Sequence, residues 1–274
     1  MVRPISDFEP SERIAPIPHT TRRFSCRSAL AISPDNGTLA FIADLGAGTY
    51  SAWTLPLGKP GKPNWSGQFR GPIPTTYQNR PQIALNLGGL IADGFIAVEA
   101  QDSQQVKNIG SDVIKLAKAL GVSQNILSRS NSINDFAETN QWDSLQEELE
   151  ATQNEVKNSM QSHSDQDLVI LVSIGGWIRG TQVVSGSVAA NYDARSAKLL
   201  RQPALVDFIH AKLNDVSPEL RNDPLVKNVN DQLTNLEKLV TFPAGKSPSP
   251  DDVRKVNTVV SDLMQQIQHK PDAK

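Results

Sequence analysis

Leu168–Ala190, LVILVSIGGWIRGTQVVSGSVAA, is the longest apolar stretch of the chain, and its reading decides the fold. A helix of about 20 apolar residues is enough to span a bilayer. Arg179, Gln182 and several Ser and Thr residues stand against that reading. A central Arg alone costs roughly 2.5–3.5 kcal/mol on insertion scales. We therefore read the stretch as a helix at the centre of a bundle and expect no transmembrane segment. Just upstream, Ser164 has the character of an N-cap, and Asp165 and Asp167 place carboxylates where the helix dipole favours them.

A second stretch shares the same odd composition. Leu85–Phe95 carries Gly88, Gly89 and Gly94, as Ser173–Gly180 carries Gly175, Gly176 and Gly180. Glycine inside a helix costs about 1 kcal/mol relative to alanine, so something must offset it. Close approach of two helix backbones is the simplest candidate. Each stretch also holds one charge in mid-run, Asp93 and Arg179. Unpaired, such charges cost several kcal/mol, so the two are expected to share one buried neighbourhood.

Working outward, helical spacing recurs from Pro81 to the end. Ile83, Leu87, Leu90, Ile91, Phe95 and Val98 line one helix behind a first-turn proline. Val106, Ile109, Val113, Leu116 and Leu120 line the next, which Gly121 ends. A short helix or loop is expected over 122–140. An amphipathic helix follows with Trp142, Leu145, Leu149, Val156 and Met160. Its Asp143, Glu147, Glu148 and Glu150 read as solvated outer-face charge. Beyond the central helix, Pro203, Asp223-Pro224 and Ser249-Pro250 each mark a helix start. The last helix has a narrow seam of Val253, Val256, Val260, Leu263 and Ile267, spaced as in coiled coils. Packing against the helix at 224–240 is the expected use of that seam.

Residues 1–80 differ. They hold more than half of the 18 prolines, a density that forbids long helices. We read an irregular, partly extended arm, with short strands expected at Thr38–Ala43 and around Tyr50–Leu55. The predicted class is thus a mostly α multi-helix bundle over 81–274, preceded by a Pro-rich arm over 1–80.

Composition removes several functions. The chain has 27 basic and 29 acidic residues, and aromatics make up 5%, so it lacks the footprint of a nucleic-acid binder. Cys26 is the sole cysteine, which excludes an intrachain disulfide. Arg22-Arg23-Phe24 followed by Ser28-Ala29-Leu30-Ala31-Ile32 begins to look like an export signal, but Ser33-Pro34-Asp35-Asn36 breaks the run. Cytoplasmic placement is the expectation.

No catalytic motif is complete. Gly46-Ala47-Gly48 has Ser51 where a dinucleotide fingerprint needs its third glycine. Gly245-Lys246-Ser247 would need a glycine at Val240 to end a phosphate loop. His19, His163, His210 and His269 form no ligand spacing, and Ser185-Gly186-Ser187 is a polar helical turn, not a nucleophile elbow. We expect no metal, no cofactor and no catalytic residue.

The candidate site that remains is a polar pocket in the bundle, with Asn86, Asp93, Trp177 and Arg179 receiving a small polar or anionic ligand. A structural ion pair is the plainer use of Asp93 and Arg179. The leading functional expectation is a non-enzymatic helical module for interaction or small-ligand binding. An enzyme of another type using the Asp93/Arg179 region is the alternative. A third reading is an assembly component whose arm or C-terminal helix engages a protein partner.

Overall fold

Helix α1, Arg80–Glu99, starts where Asn79 accepts a hydrogen bond from the Gln82 N–H, with Pro81 in its first turn. The same logic sets most helix starts in this computed structural model. It describes residues 64–122, 125–162, 165–243 and 246–269, together with three strands in the N-terminal region. Asp102 caps α2, Ser103–Ala119, and Gly121 follows it at φ +82°, a left-handed conformation that favours glycine. Then come α3, Asn125–Glu138, and α4, Trp142–Ser162. The central helix α5 spans Gln166–Ala190, and a short α6, Ala194–Ala197, follows it. Proline stands in the first turn of α7 (Pro203–Asp215), α8 (Pro218–Arg221), α9 (Pro224–Val240) and α10 (Pro250–Gln268). Asp223 accepts from the Leu225 and Val226 N–H groups, and Ser249 with Asp252 forms a full capping box on α10.

This is a mostly α multi-helix bundle. Three local expectations need adjusting. The 122–140 region holds a full 14-residue helix, α3, rather than a short piece or loop. The N-cap of α5 is Asp165, which makes no side-chain cap bond, while Ser164 lies outside the described residues. Glu148 is not free outer-face charge, because Arg129 of α3 donates to it at 3.1 Å and to Glu155 at 2.5 Å. Those two bonds tie α3 to α4.

Ahead of the bundle, β1 (Ala29–Ile32), β2 (Thr38–Ala43) and β3 (Ser51–Pro56) form an antiparallel sheet in the order β1-β2-β3. Leu30 is opposite Phe41, and Phe41 is opposite Trp53. The apolar run that resembles a truncated export segment is therefore a strand. Cys26, Gly46-Ala47-Gly48, His19, His163 and Gly245 fall outside the described residues.

Two clusters of buried apolar residues organise the bundle. The larger joins α1, α5, α7, α9 and α10 with parts of α2 and α4, around residues such as Leu85, Leu171, Ile174 and Leu263. The smaller gathers Ala97, Val98, Val106, Ile133, Ala137 and Leu145 where α1–α4 meet. Both α1 and α5 are long and apolar enough to cross a membrane by length and composition. In α1 that apolar surface is spent on the core, where 89% of the apolar window is buried; in α5 the share is 61%.

Candidate functional site

Helices α1 and α5 cross backbone to backbone. A Cβ at Gly88 would lie 1.8 Å from the Val172 carbonyl oxygen, and one at Gly175 would lie 2.0 Å from that of Leu85. Those distances are far inside van der Waals contact, so glycine is required at both positions. The close approach expected from the two glycine-rich stretches is what these residues provide. It also brings Asp93 and Arg179, each about a turn past the crossing, to one place.

Arg179 Nε donates to Asp93 Oδ1 at 2.7 Å, with the two side chains 4% and 8% exposed. The same guanidinium donates from Nη1 to Gln182 Oε1 at 2.8 Å and from Nη2 to the Gln68 carbonyl. Asp93 has a second partner that the sequence did not point to. Arg70 Nε donates to Oδ2 at 2.6 Å, and Arg70 Nη2 lies 2.5 Å from the same oxygen. One carboxylate thus stands between two guanidinium groups. Burial pulls the Arg70 pKa below its ordinary value; the Asp93 charge opposes this and the Arg179 charge adds to it. Gly89 leaves the room, since a Cβ there would meet Arg70 Nη2 at 3.0 Å. Arg70 and Gln68 belong to the segment that precedes α1, so the cluster acts as a clasp fastening that segment across α1 and α5. The boundary read at residue 80 therefore falls inside a stretch already attached to the helices. Nearby, burial pushes Tyr77 up to about 12, with Arg70 opposing, and its hydroxyl donates to the Gln268 carbonyl at 3.2 Å.

Asn86 and Trp177 turn to other partners. Asn86 Nδ2 donates to the carbonyls of Gln82 at 2.9 Å and Ile267 at 2.8 Å. Gln82 Nε2 donates to the Ile267 and His269 carbonyls at 2.9 and 2.7 Å. Helix ends leave their last carbonyls without helical donors, and Asn86, Gln82 and Tyr77 supply donors for the C-terminus of α10. Trp177 Nε1 donates to Gln202 Oε1 at 3.2 Å, beside a gap of only about 10 Å³ that Gly180, Val184 and Leu205 help to line. Of the four candidate residues, then, the structure joins Asp93 with Arg179 and gives Asn86 and Trp177 separate work.

The open space lies elsewhere. A cavity of about 350 Å³ lies between α1, α2, α3 and α4 and is lined by residues of both core clusters. Leu90, Phe95, Ile109, Val113, Ile133 and Leu149 are among its apolar walls. Lys107, Ser111, Lys115 and Lys118 edge it along one face of α2, with Ser130 and Asn134 opposite on α3. Gly94 and Gly110 also line it. A Cβ at Gly94 would come no closer than 3.7 Å to Ile109, and one at Gly110 no closer than 4.0 Å to Ile133. Unlike Gly88 and Gly175, these glycines are not demanded by backbone packing. No sequence signal marks the cavity beyond those two glycines, whose role cannot be told from that of the others by composition.

Among the described residues no group of three or more His, Cys, Asp and Glu side chains could hold a metal ion. His210 sits 3.4 Å from Glu237 and 3.5 Å from Thr234, an ordinary surface arrangement. Set beside known proteins, the chain matches no family model, no curated protein and no solved structure.

Proposed function

We propose that the protein is a non-enzymatic helical module that binds a small, mainly apolar molecule in the cavity between α1, α2, α3 and α4. The observation carrying this reading is a pocket of about 350 Å³ that opens between four helices of the bundle. Protein interiors pack like organic crystals and leave few gaps larger than a water. The volume falls in the ~300–1,000 Å³ range of ligand pockets. The two glycines on its wall add support, because alanine would fit at both and suit the helix better.

An enzyme acting through Asp93 and Arg179 has less behind it. Both carboxylate oxygens already accept from guanidinium groups, and all three kinds of Arg179 nitrogen are engaged. The assembly reading rests on an arm of which most residues lie outside those described.

Titration of the full chain with the neutral dye N-phenyl-1-naphthylamine tests the proposal. Saturable fluorescence enhancement at one dye per chain is expected. Gly110→Phe, which fills the cavity from α2, should abolish it while leaving the circular dichroism spectrum helical. Non-saturable binding, or equal binding by the folded variant, overturns the reading.

A further inference from the structure

The charge around the cavity narrows what it holds. Among the described residues, every charged side chain that lines it is a lysine: Lys107, Lys115 and Lys118. They stand on α2 at intervals that place them along one edge, so they face the same mouth. Lys107 is paired with Glu138 at 2.7 Å and Lys115 with Asp112 at 2.8 Å. Lys118 makes no ion pair among the described residues, and it is exposed at the rim. The interior behind these cations is aliphatic, with Phe95 as an aromatic contribution.

Resting on the ligand-binding reading above, we infer that the ligand is an organic acid with one carboxylate head and an apolar tail. The tail occupies the space held open by Gly94 and Gly110, and the head meets Lys118 at the mouth. An ammonium on a flexible stem can follow a carboxylate without a fixed geometry. Ser111 on α2 and Asn134 on α3 also line the pocket as polar side chains. Size follows from volume. At about 30 Å³ per water-sized group, the cavity takes roughly a dozen non-hydrogen atoms, the size of a medium-chain fatty acid. A cationic amphiphile of equal length would bring its head against Lys118, and a neutral alcohol would leave Lys118 without a counter-charge.

Calorimetric titration of the full chain with decanoate, decan-1-ol and decylamine tests the assignment. Decanoate should bind at one per chain, about tenfold tighter than decan-1-ol, as expected for one partly exposed charge-assisted contact. Decylamine should bind weakest. Lys118→Met should erase the preference for decanoate over the alcohol, while N-phenyl-1-naphthylamine still binds. Lys118→Arg should retain the preference, and Lys227→Met, on α9, should leave it unchanged. Lys118 is exposed near the end of α2, so its replacement does not threaten the fold. Equal affinity for acid and alcohol, or an unchanged preference in Lys118→Met, overturns the inference even where the dye binds. If the dye fails as well, the cavity reading falls with it.

Discussion

Asp93 Oδ1 receives Arg179 Nε at 2.7 Å across the α1–α5 crossing, while its other oxygen is taken by Arg70. The carboxylate is therefore the shared member of a triad, and that changes what its removal should do. Asp93→Asn leaves two guanidinium charges without their counter-charge, at a cost of about 3–5 kcal/mol or more. Arg179→Met leaves Asp93 still paired with Arg70 and should cost less. Combining Asp93→Asn with Arg179→Met should recover little, because Arg70 remains stranded; adding Arg70→Met should recover more. Urea unfolding of the single, double and triple variants measures this. A double variant as stable as Arg179→Met alone would show that Arg70 does not share the carboxylate.

Glycines at the helix crossing and glycines at the cavity should respond in opposite directions. Gly88→Ala and Gly175→Ala force a methyl group into a backbone carbonyl, and overpacking of that kind costs about 1–3 kcal/mol or more. Gly94→Ala and Gly110→Ala meet only ordinary contact distances and should stabilise by about 0.5–1 kcal/mol each. Thermal melts of the four variants test the contrast. Destabilisation by alanine at 94 and 110 would remove the distinction between crossing glycines and cavity glycines.

Helix starts were legible because proline and a capping Asp or Ser act locally, as at Pro81, Asp223 and Ser249, while the Asn79 cap emerges only in the structure. The Asp93–Arg179 pair was legible for another reason: a charge within an apolar, glycine-rich helix must find its opposite. Arg70 was hidden in a Pro/Gly-rich segment without periodicity, and nothing local distinguishes it from a solvated arginine. Asn86 looked like a ligand contact because a buried amide needs partners, but its partner carbonyl at Ile267 is 181 residues away. Helix α3 was underestimated because Ser and Asn are poor helix formers, and the tertiary contacts of Ile133 and Ala137 override them. The cavity was illegible in principle, since a void arises from how four helices pack and no single residue encodes it.

Glu99 makes stability depend on pH. Burial at the end of α1 pushes its carboxyl up to about 7 from an ordinary 4.5. The folded state thus holds a proton that the unfolded chain releases across that interval. Its contribution is fully favourable below about 4.5 and is lost as pH rises towards 7. Glu99→Gln should remove that slope and stabilise the protein at pH 8 by about 1–3 kcal/mol, a figure reduced for partial exposure. Unfolding free energies at pH 5, 6, 7 and 8 for both proteins decide it. Parallel curves would mean that Glu99 titrates normally.

The final helix offers a test of whether its coiled-coil-like seam serves this chain or a partner. Val253, Val256, Val260, Leu263 and Ile267 are each 0% exposed. They are spent inside the chain, with α10 lying most extensively along α5 and also against α9, its expected partner. Polar links reinforce that placement. Asn257 Nδ2 donates to the Gln182 carbonyl at 3.1 Å and to Ser185 Oγ at 3.0 Å, and Gln182 Nε2 donates to Ser261 Oγ at 3.2 Å. At the far end, Gln82, Asn86 and Tyr77 hold the last carbonyls of α10. A helix held along its seam and at its C-terminus is part of the core, so Leu263→Ala should cost about 2–5 kcal/mol of monomer stability. Sedimentation at several concentrations should show no change in association state. If Leu263→Ala instead left unfolding unchanged and weakened self-association, the seam would belong to an interface between copies of the chain.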